Sequence, residues 1–183
     1  MRYFEKIPGE RIYLSPINPD DAELYTKWLN DPAVAVNLGM YPKMLSLPAE
    51  RKFLDEMATR GSHDFAMVLR NGEGGRLIGN ISLMDIGQNI DRTATLGLFI
   101  GEEADRGKGY GAEAIRLILG YGFNTLHLHN VQLHLNGDNL RALACYKKVG
   151  FKEFGRRREA KFHSGRYVDM IYMDILDSEF TAG

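Results

Sequence analysis

Between Arg106 and Ala112 the chain reads Arg-Gly-Lys-Gly-Tyr-Gly-Ala, just ahead of a segment with helical apolar spacing. Glycines let a backbone come close to a ligand, and the free N–H groups of a helix start favour a phosphate. Three phosphate-binding motifs compete for the run. A Walker A loop needs Gly, four residues, then Gly-Lys-Ser/Thr. Here five residues separate Gly101 from Gly107, and Gly109 takes the hydroxyl position, so magnesium would have no ligand. A dinucleotide fingerprint, G-x-G-x-x-G/A, is met in form by Gly107, Gly109 and Ala112. It also needs an acid about 20 residues on for the ribose, and no Asp or Glu stands between Glu113 and Asp138. The run also follows several antiparallel-looking strands, where a nucleotide fold would place it after its first strand. Both readings fail.

The third pattern, Arg/Gln-x-x-Gly-x-Gly/Ala, is carried by Arg106, Gly109 and Gly111. Alone it fits equally a glycine-rich turn that holds no ligand. A second segment follows it: Asn139-x-x-Ala142-x-x-Cys145-Tyr146-x-Lys148-x-Gly150-Phe151. With Cys145 where Leu is usual, this segment resembles the Asn-x-x-Ala-x-x-Leu-Tyr-x-Lys-x-Gly-Phe segment of the GCN5-related N-acetyltransferases (GNAT). The glycine run resembles that family's pyrophosphate loop, and the two fall in its order and near its spacing. The resemblance extends from the first strand to about Leu176. It is closest to the branch of ribosomal-protein N-terminal and spermidine acetyltransferases, to which the closing Gly165-Arg166-Tyr167-x-Asp169 is also similar.

The resemblance implies a mixed α/β fold with a central sheet of about seven strands flanked by about four helices. It implies acetyl-CoA as co-substrate, no metal, and a primary amine as acceptor, either a peptide N-terminus or a small molecule, attacking directly. A homodimer is an assembly it allows. Cofactor binding falls to Arg106, Gly107, Lys108, Gly109, Tyr110, Gly111 and Asn139. The backbone at Phe99 and Ile100 would pair with the pantetheine arm like an added strand. Tyr146 takes the role of the acid that protonates the departing thiolate.

Each role has a plainer competitor. A helix tyrosine is more commonly a core residue, and Asn139 is a favoured helix N-cap, a role compatible with cofactor contact. The base is unassigned. The strand before the loop, Thr93-Ala94-Thr95-Leu96-Gly97, has no acid, and Asp85, Glu102 and Glu103 read as solvated turn residues. His134 titrates near neutrality, but the expectation is a hydrogen-bonded structural histidine. Water can carry the proton without any dedicated base. Cys145 has no recognisable His partner to make it a nucleophile. His127 and His129, expected on one strand face, have no Cys or carboxylate at ligand spacing, which argues against a metal. Arg156, Arg157 and Arg158 read as a solvated edge strand.

These groups need elements to hold them. A strand is expected at Arg11–Ile17, then amphipathic helices at Asp20–Leu29 and near Pro48–Thr59. A hairpin of Asp64–Arg70 and Arg76–Met84 turns through Asn71–Gly75, where several residues tolerate positive φ. Thr93–Gly101 is uncharged and reads as a strand buried on both faces. Helix Gly109–Asn124, strand Val131–Asn136, helix Asn139–Val149 and strands near Phe151–Phe162 and Tyr167–Leu176 complete the order. The strand–helix–strand unit through Gly109–Asn124 should set its two strands parallel. Gly150 stands where a helix ends on a left-handed residue.

The chain has 183 residues, with 23 Lys plus Arg against 24 Asp plus Glu. That length gives a single domain, residues 1–183, and the balanced charge argues against a nucleic-acid binder. One cysteine excludes an internal disulfide. The charged N-terminus has no signal-like apolar run. The uncharged run Leu117–Gly137 carries too many Asn, Gln and His for a bilayer. A cytoplasmic protein away from membranes is expected. Two rivals stand beside the amine acetyltransferase. One is a non-catalytic acyl-CoA-binding regulator on the same fold; the other is a polyamine acetyltransferase. Against the second, the Met40–Pro48 connection is apolar with one base and no acid.

Overall fold

The computed structural model describes residues 2–41, 43–72, 74–86 and 90–181. Met1 of the N-terminal segment, Pro42 of the Met40–Pro48 connection and Glu73 of the hairpin linker lie outside the described residues. In chain order the strands are β1 Ile7–Pro8, β2 Ile12–Pro16, β3 Asp64–Leu69, β4 Arg76–Met84, β5 Thr93–Ile100, β6 Asn130–Asn136, β7 Lys152–His163 and β8 Arg166–Leu176. The helices are α1 Ala22–Asn30, α2 Pro32–Ala35, α3 Leu47–Thr59, α4 Tyr110–Asn124 and α5 Leu140–Val149. The strands form one open sheet in the order β1-β2-β3-β4-β5-β6-β8-β7. Beyond the expected elements the fold adds β1 and α2, each too short to show a period in sequence. β1 extends the sheet edge through Ile7↔Leu14 and Pro8↔Tyr13. α2 begins on Pro32, with the Asp31 side chain accepting from the Ala33 N–H.

Each face of the sheet has its own apolar layer. Ile115, Ile118 and Leu119 of α4 pack with Tyr146 of α5 against Ile81, Leu96, Leu133 and Leu135. On the opposite face Tyr25 and Trp28 of α1 and Leu54 of α3 pack over Ala66, Val68 and Leu77, with Phe99 against them. Local signals hold these helices in place. Ser46 caps α3 and Asn139 caps α5. Gly150 ends α5 at φ 119°, and Phe151 behind it is buried.

All neighbouring strands run antiparallel except β5 and β6, which are parallel as the strand–helix–strand unit requires. Their ladder is brief, running from Thr93↔Asn130 to Thr95↔Gln132. Beyond it β5 stays with β4 as far as Ile100, while β6 stays with β8 as far as Asn136. The sheet therefore splits between its middle strands. The expectation that this strand is buried on both faces holds only at Ala94 and Leu96; the other positions of β5 are half-buried, and those from Gly97 to Ile100 lie beyond the ladder with β6, along the split.

His127 and His129 precede β6 and do not share a strand face, contrary to expectation. His127 sits in a turn at φ 54°, and His129 Nδ1 lies 3.2 Å from Asp177 Oδ1. Arg156, Arg157 and Arg158 do lie on the edge strand, β7.

Candidate active site

The split opens a cleft of ≈ 720 Å³ that reaches from the glycine run to the start of α5. Its β5 wall is a strand edge. The Gly101 N–H donates to the Ile78 carbonyl at 3.0 Å. Backbone direction alternates along a strand, so Leu98 and Ile100 turn their polar groups away from β4 and toward the cleft. The Ile100 carbonyl is already taken by Arg106 Nε at 3.0 Å. What remains is the Leu98 N–H and C=O and the Ile100 N–H. Phe99 borders the cleft, but its backbone faces β4, and its ring stands 5.9 Å from Tyr25 and 6.2 Å from Trp28. Sequence reasoning missed Leu98. The alternation that selects it is set by the Gly101 hydrogen bond, which no motif records.

The glycine run is held in shape by three guanidinium groups. Arg106 donates to the Ile100 carbonyl, to the Gly101 carbonyl at 2.7 Å and to Glu103 Oε2 at 2.7 Å, so it braces the loop from within. Arg76 grips the buried Asp105 with two 2.7 Å bonds, which holds that carboxyl below its ordinary range. Arg11 reaches across from the β2 side. It donates to the Lys108 carbonyl at 2.8 Å and to Glu113 Oε2 at 2.9 Å, and covers the Tyr110 ring at 5.1 Å. Burial works against the Glu113 carboxylate, but the Arg11 and Ile12 N–H groups and the Arg11 guanidinium outweigh it and lower its pKa. Gly107 and Gly109 sit at φ 75° and 86°, a region costly for side-chain-bearing residues. Gly109 is also the N-cap of α4 and provides no capping side chain. The first N–H groups of α4 are thus left for a ligand. Lys108 is exposed beside them.

Tyr146 and Cys145 come from α5, whose N-terminus is fastened across the cleft. Asn139 accepts from the Ala142 N–H at 3.2 Å and donates to Asn37 Oδ1 at 2.9 Å. Tyr146 lines the cleft yet is 7 % exposed, edge-on to Phe151 with ring centroids 5.7 Å apart. Burial, then the neighbouring Cys145, pushes its phenol up, so near neutral pH it holds its proton. Burial likewise raises the Cys145 thiol, against the opposing pull of Arg116 and Lys148. It is a poor nucleophile.

Of the acids expected as solvated turn residues, Asp85 is exposed in a bend as expected, whereas Glu102 and Glu103 are engaged. Glu102 accepts from Lys27 at 2.5 Å and from the Trp28 indole N–H at 2.9 Å. Glu103 is held by Arg106 and, at 2.9 Å, by Arg141. His134 also departs from expectation: it is exposed at the border of the cleft, with no hydrogen-bond partner among the described residues. Its ring lies 6.0 Å from that of Tyr172. Among the described residues no three His, Cys, Asp or Glu side chains cluster as a metal site.

An uncapped helix start, a free strand edge and a buried phenol along one cleft fit a thioester that bears a pyrophosphate and an extended amide arm. Comparison with known proteins agrees. The family profile described as "Acetyltransferase (GNAT) domain" matches residues 11–152. A spermidine N(1)-acetyltransferase of Vibrio cholerae is 29% identical over 174 residues, covering 94% of this chain and 90% of that protein. A putative ribosomal N-acetyltransferase of Bacillus subtilis, YdaF, is 32% identical over 106 residues, 58% of this chain and 57% of its own. The crystal structure of the Vibrio cholerae spermidine N-acetyltransferase with CoA and spermine superposes with a TM-score of 0.81 at 26% identity, covering 93% of this chain and 98% of that one. The split sheet, its glycine loop and the profile match lead to one assignment: the chain belongs to the GNAT family and is an acetyl-CoA-dependent N-acetyltransferase.

Proposed function

We propose that this single-domain enzyme moves acetyl from acetyl-CoA to a primary amine, a peptide N-terminus or a small molecule, by direct attack. The observation that supports this reading most is the convergence on one cleft of the glycine loop, the β5 edge and Tyr146. The co-substrate, when bound, supplies an acetyl group activated as a thioester. In this reading the α4 N–H groups hold the pyrophosphate, with Gly107, Lys108, Gly109, Tyr110 and Gly111 giving the loop its shape. The edge at Leu98 and Ile100 holds the amide arm. Holding both reactants in one cleft supplies several kcal/mol through orientation alone. Tyr146, kept protonated by burial, gives its proton to the departing sulfur.

The acceptor side favours an amine without multiple positive charges. Lys161 on β7 lies near the α1–α3 connection, its Nζ 3.7 Å from where a Cβ on Gly39 would stand. It also acts electrostatically on His134 at the cleft, so a polyamine would meet a cation there. The competing polyamine reading draws on one observation, the likeness to a spermidine acetyltransferase along 94% of the chain. The same proposal takes the enzyme as cytoplasmic, acting apart from membranes and nucleic acid and able to pair as a homodimer. Among the described residues no helix is long and apolar enough to cross a membrane.

Thiol release from acetyl-CoA, measured over a panel of peptides, amino sugars and polyamines, tests the reading. Turnover with short peptides or small monoamines is expected, with polyamines poorer. Coenzyme A should also raise the melting temperature, by the several degrees that about 2.7 kcal/mol at 100-fold over Kd implies, and NAD should not. Coenzyme A binding without turnover on any amine would instead make the chain a regulator.

A further inference from the structure

The catalytic proposal leaves the amine's own proton without a destination, and the geometry points to His134 as the residue that takes it. This rests on the acetyl-transfer reading above.

Side chains alternate faces along a strand. On β6, Val131, Leu133 and Leu135 are buried against the α4 and α5 layer that includes Tyr146. His134, between Leu133 and Leu135, therefore stands on the opposite face. It lies two residues past Gln132, the last β6 residue paired with β5, and so at the point where the strands part. The cleft thus presents Tyr146 from one face of the sheet and His134 from the other. An acetyl group lying between the strand edges would meet an acid on one side and a base on the other. An acceptor arriving from the face that α4 and α5 leave uncovered would pass the imidazole.

The competing bases are occupied. Of the charged acids among the described residues, Glu103 alone borders the cleft, and Arg106 and Arg141 hold it at the loop end. Glu102 is bound by Lys27 and Trp28. His134 has no hydrogen-bond partner among the described residues, so a ring nitrogen is available. Tyr172, its register partner on β8, supports the ring, and Phe154 of β7 backs Tyr172 at 6.1 Å.

The titratable or charged groups around it are Tyr172 from β8, Lys161 from β7 and, across the cleft, Cys145, Tyr146 and Lys148 from α5. The α1–α3 connection brings the uncharged Asn37 and Leu38, and β5 brings none. Burial first and Lys161 second hold the imidazole pKa below the usual histidine value. It is therefore neutral near pH 7, the form a base requires. The proton count closes. Nitrogen gains a bond to the acetyl carbon and yields one proton to His134, directly or through one water. Sulfur departs with the C–S electron pair and takes a proton from Tyr146. The imidazolium proton, returned through solvent, restores the phenol.

The test uses His134→Gln and His134→Ala on an acceptor from the panel for which chemistry limits the rate. His134→Gln is expected to lose about 10²–10⁴-fold in kcat, with acetyl-CoA affinity by calorimetry unchanged, and added imidazole should partly restore His134→Ala. In the wild type, the acidic limb of kcat/KM against pH should fall below about 6.5 and should vanish in His134→Gln. NMR gives a readout apart from turnover: the His134 ring should titrate below an ordinary histidine, and Lys161→Met should raise both that value and the acidic limb. Turnover by His134→Gln within a few-fold of wild type, or an unchanged limb, would overturn the assignment. Lost acetyl-CoA binding in a folded variant would overturn it in favour of a binding role. A wild type that binds coenzyme A but acetylates no amine would sink the enzyme reading itself.

Discussion

On the β1–β5 arm of the split sheet, helices or loops cover both faces, and the loop at its end is tied by Arg11, Arg76 and Arg106 to carbonyls and carboxylates. On the β6–β8–β7 arm one face packs on α4 and α5, while the other leaves His134, Phe154 and the edge cations open. The first arm is shaped by backbone and locked by buried or bidentate contacts. The second presents, on its open face, exposed side chains that lie outside the apolar core. A donor with a large fixed handle suits the first, and an acceptor that varies in shape suits the second.

Substitutions on the two arms should therefore separate donor binding from chemistry. The largest effect is expected for Gly109→Val. A branched side chain at φ 86°, with its Cβ 3.2 Å from Arg11 Nη2, disturbs both the loop and its clamp. Calorimetry should find no acetyl-CoA binding, with the melt showing that the sheet survives. Retained affinity would break the comparison. Next is Tyr146→Phe, which keeps the ring against Phe151 and deletes the hydroxyl. A loss in kcat of about 10²–10⁴-fold with unchanged donor affinity is expected; near-normal turnover with a good acceptor would remove the acid role.

A smaller effect is expected for Arg11→Met. The guanidinium's hydrogen bonds to Lys108 and Glu113 are charge-assisted but exposed. Deleting them should weaken acetyl-CoA by about tenfold, or roughly 1.4 kcal/mol, with the acceptor KM unmoved. An equal change in both would show that the two ends are coupled. The smallest effect on turnover is expected for Arg76→Met, which acts on stability instead: it leaves the buried Asp105 carboxylate without its partner at a cost of about 1–3 kcal/mol. That corresponds to a Tm lower by several degrees. Because the folded Asp105 pKa is depressed, its contribution is present above the unfolded value of about 3.9. It fades as pH falls through the lower folded value, so the variant should show a shallower acid limb in its stability profile.

The same contrast explains what can be read without coordinates. The glycine run is legible because positive φ at Gly107 and Gly109 and an uncapped helix start restrict residue type within a few positions. The Asn139–Phe151 segment is legible because a cap, a buried ring and a left-handed terminator recur on one short helix. Helix periods place α1, α3, α4 and α5 closely. The split between β5 and β6 is not legible, since a strand that borders a cleft and one that is packed on both faces can share an uncharged composition. His134 reads as structural in sequence because an isolated histidine carries no spacing signal. Its position depends on where the ladder ends, and that is set by β4, β8 and two helices together. The engagement of Glu102 and Glu103 is hidden for the same reason: their partners Lys27 and Arg141 lie 75 and 38 positions away.

Arg11 makes the loop dependent on a residue far upstream in the sequence. Its hold on the Lys108 carbonyl spans 97 positions, so the stretch Arg106–Ala112 is only half of the device it resembles. A chimera that takes this stretch, or all of α4, from one relative and β2 with the residue before it from another keeps the visible motif. It inherits the loop's shape only if both parents place a guanidinium just before β2 and a carboxylate at the first turn of α4. Crossover points between β2 and α4 thus carry a hidden compatibility requirement. Sequence exchange within the family should be most successful where both members of this distant pair come from the same parent.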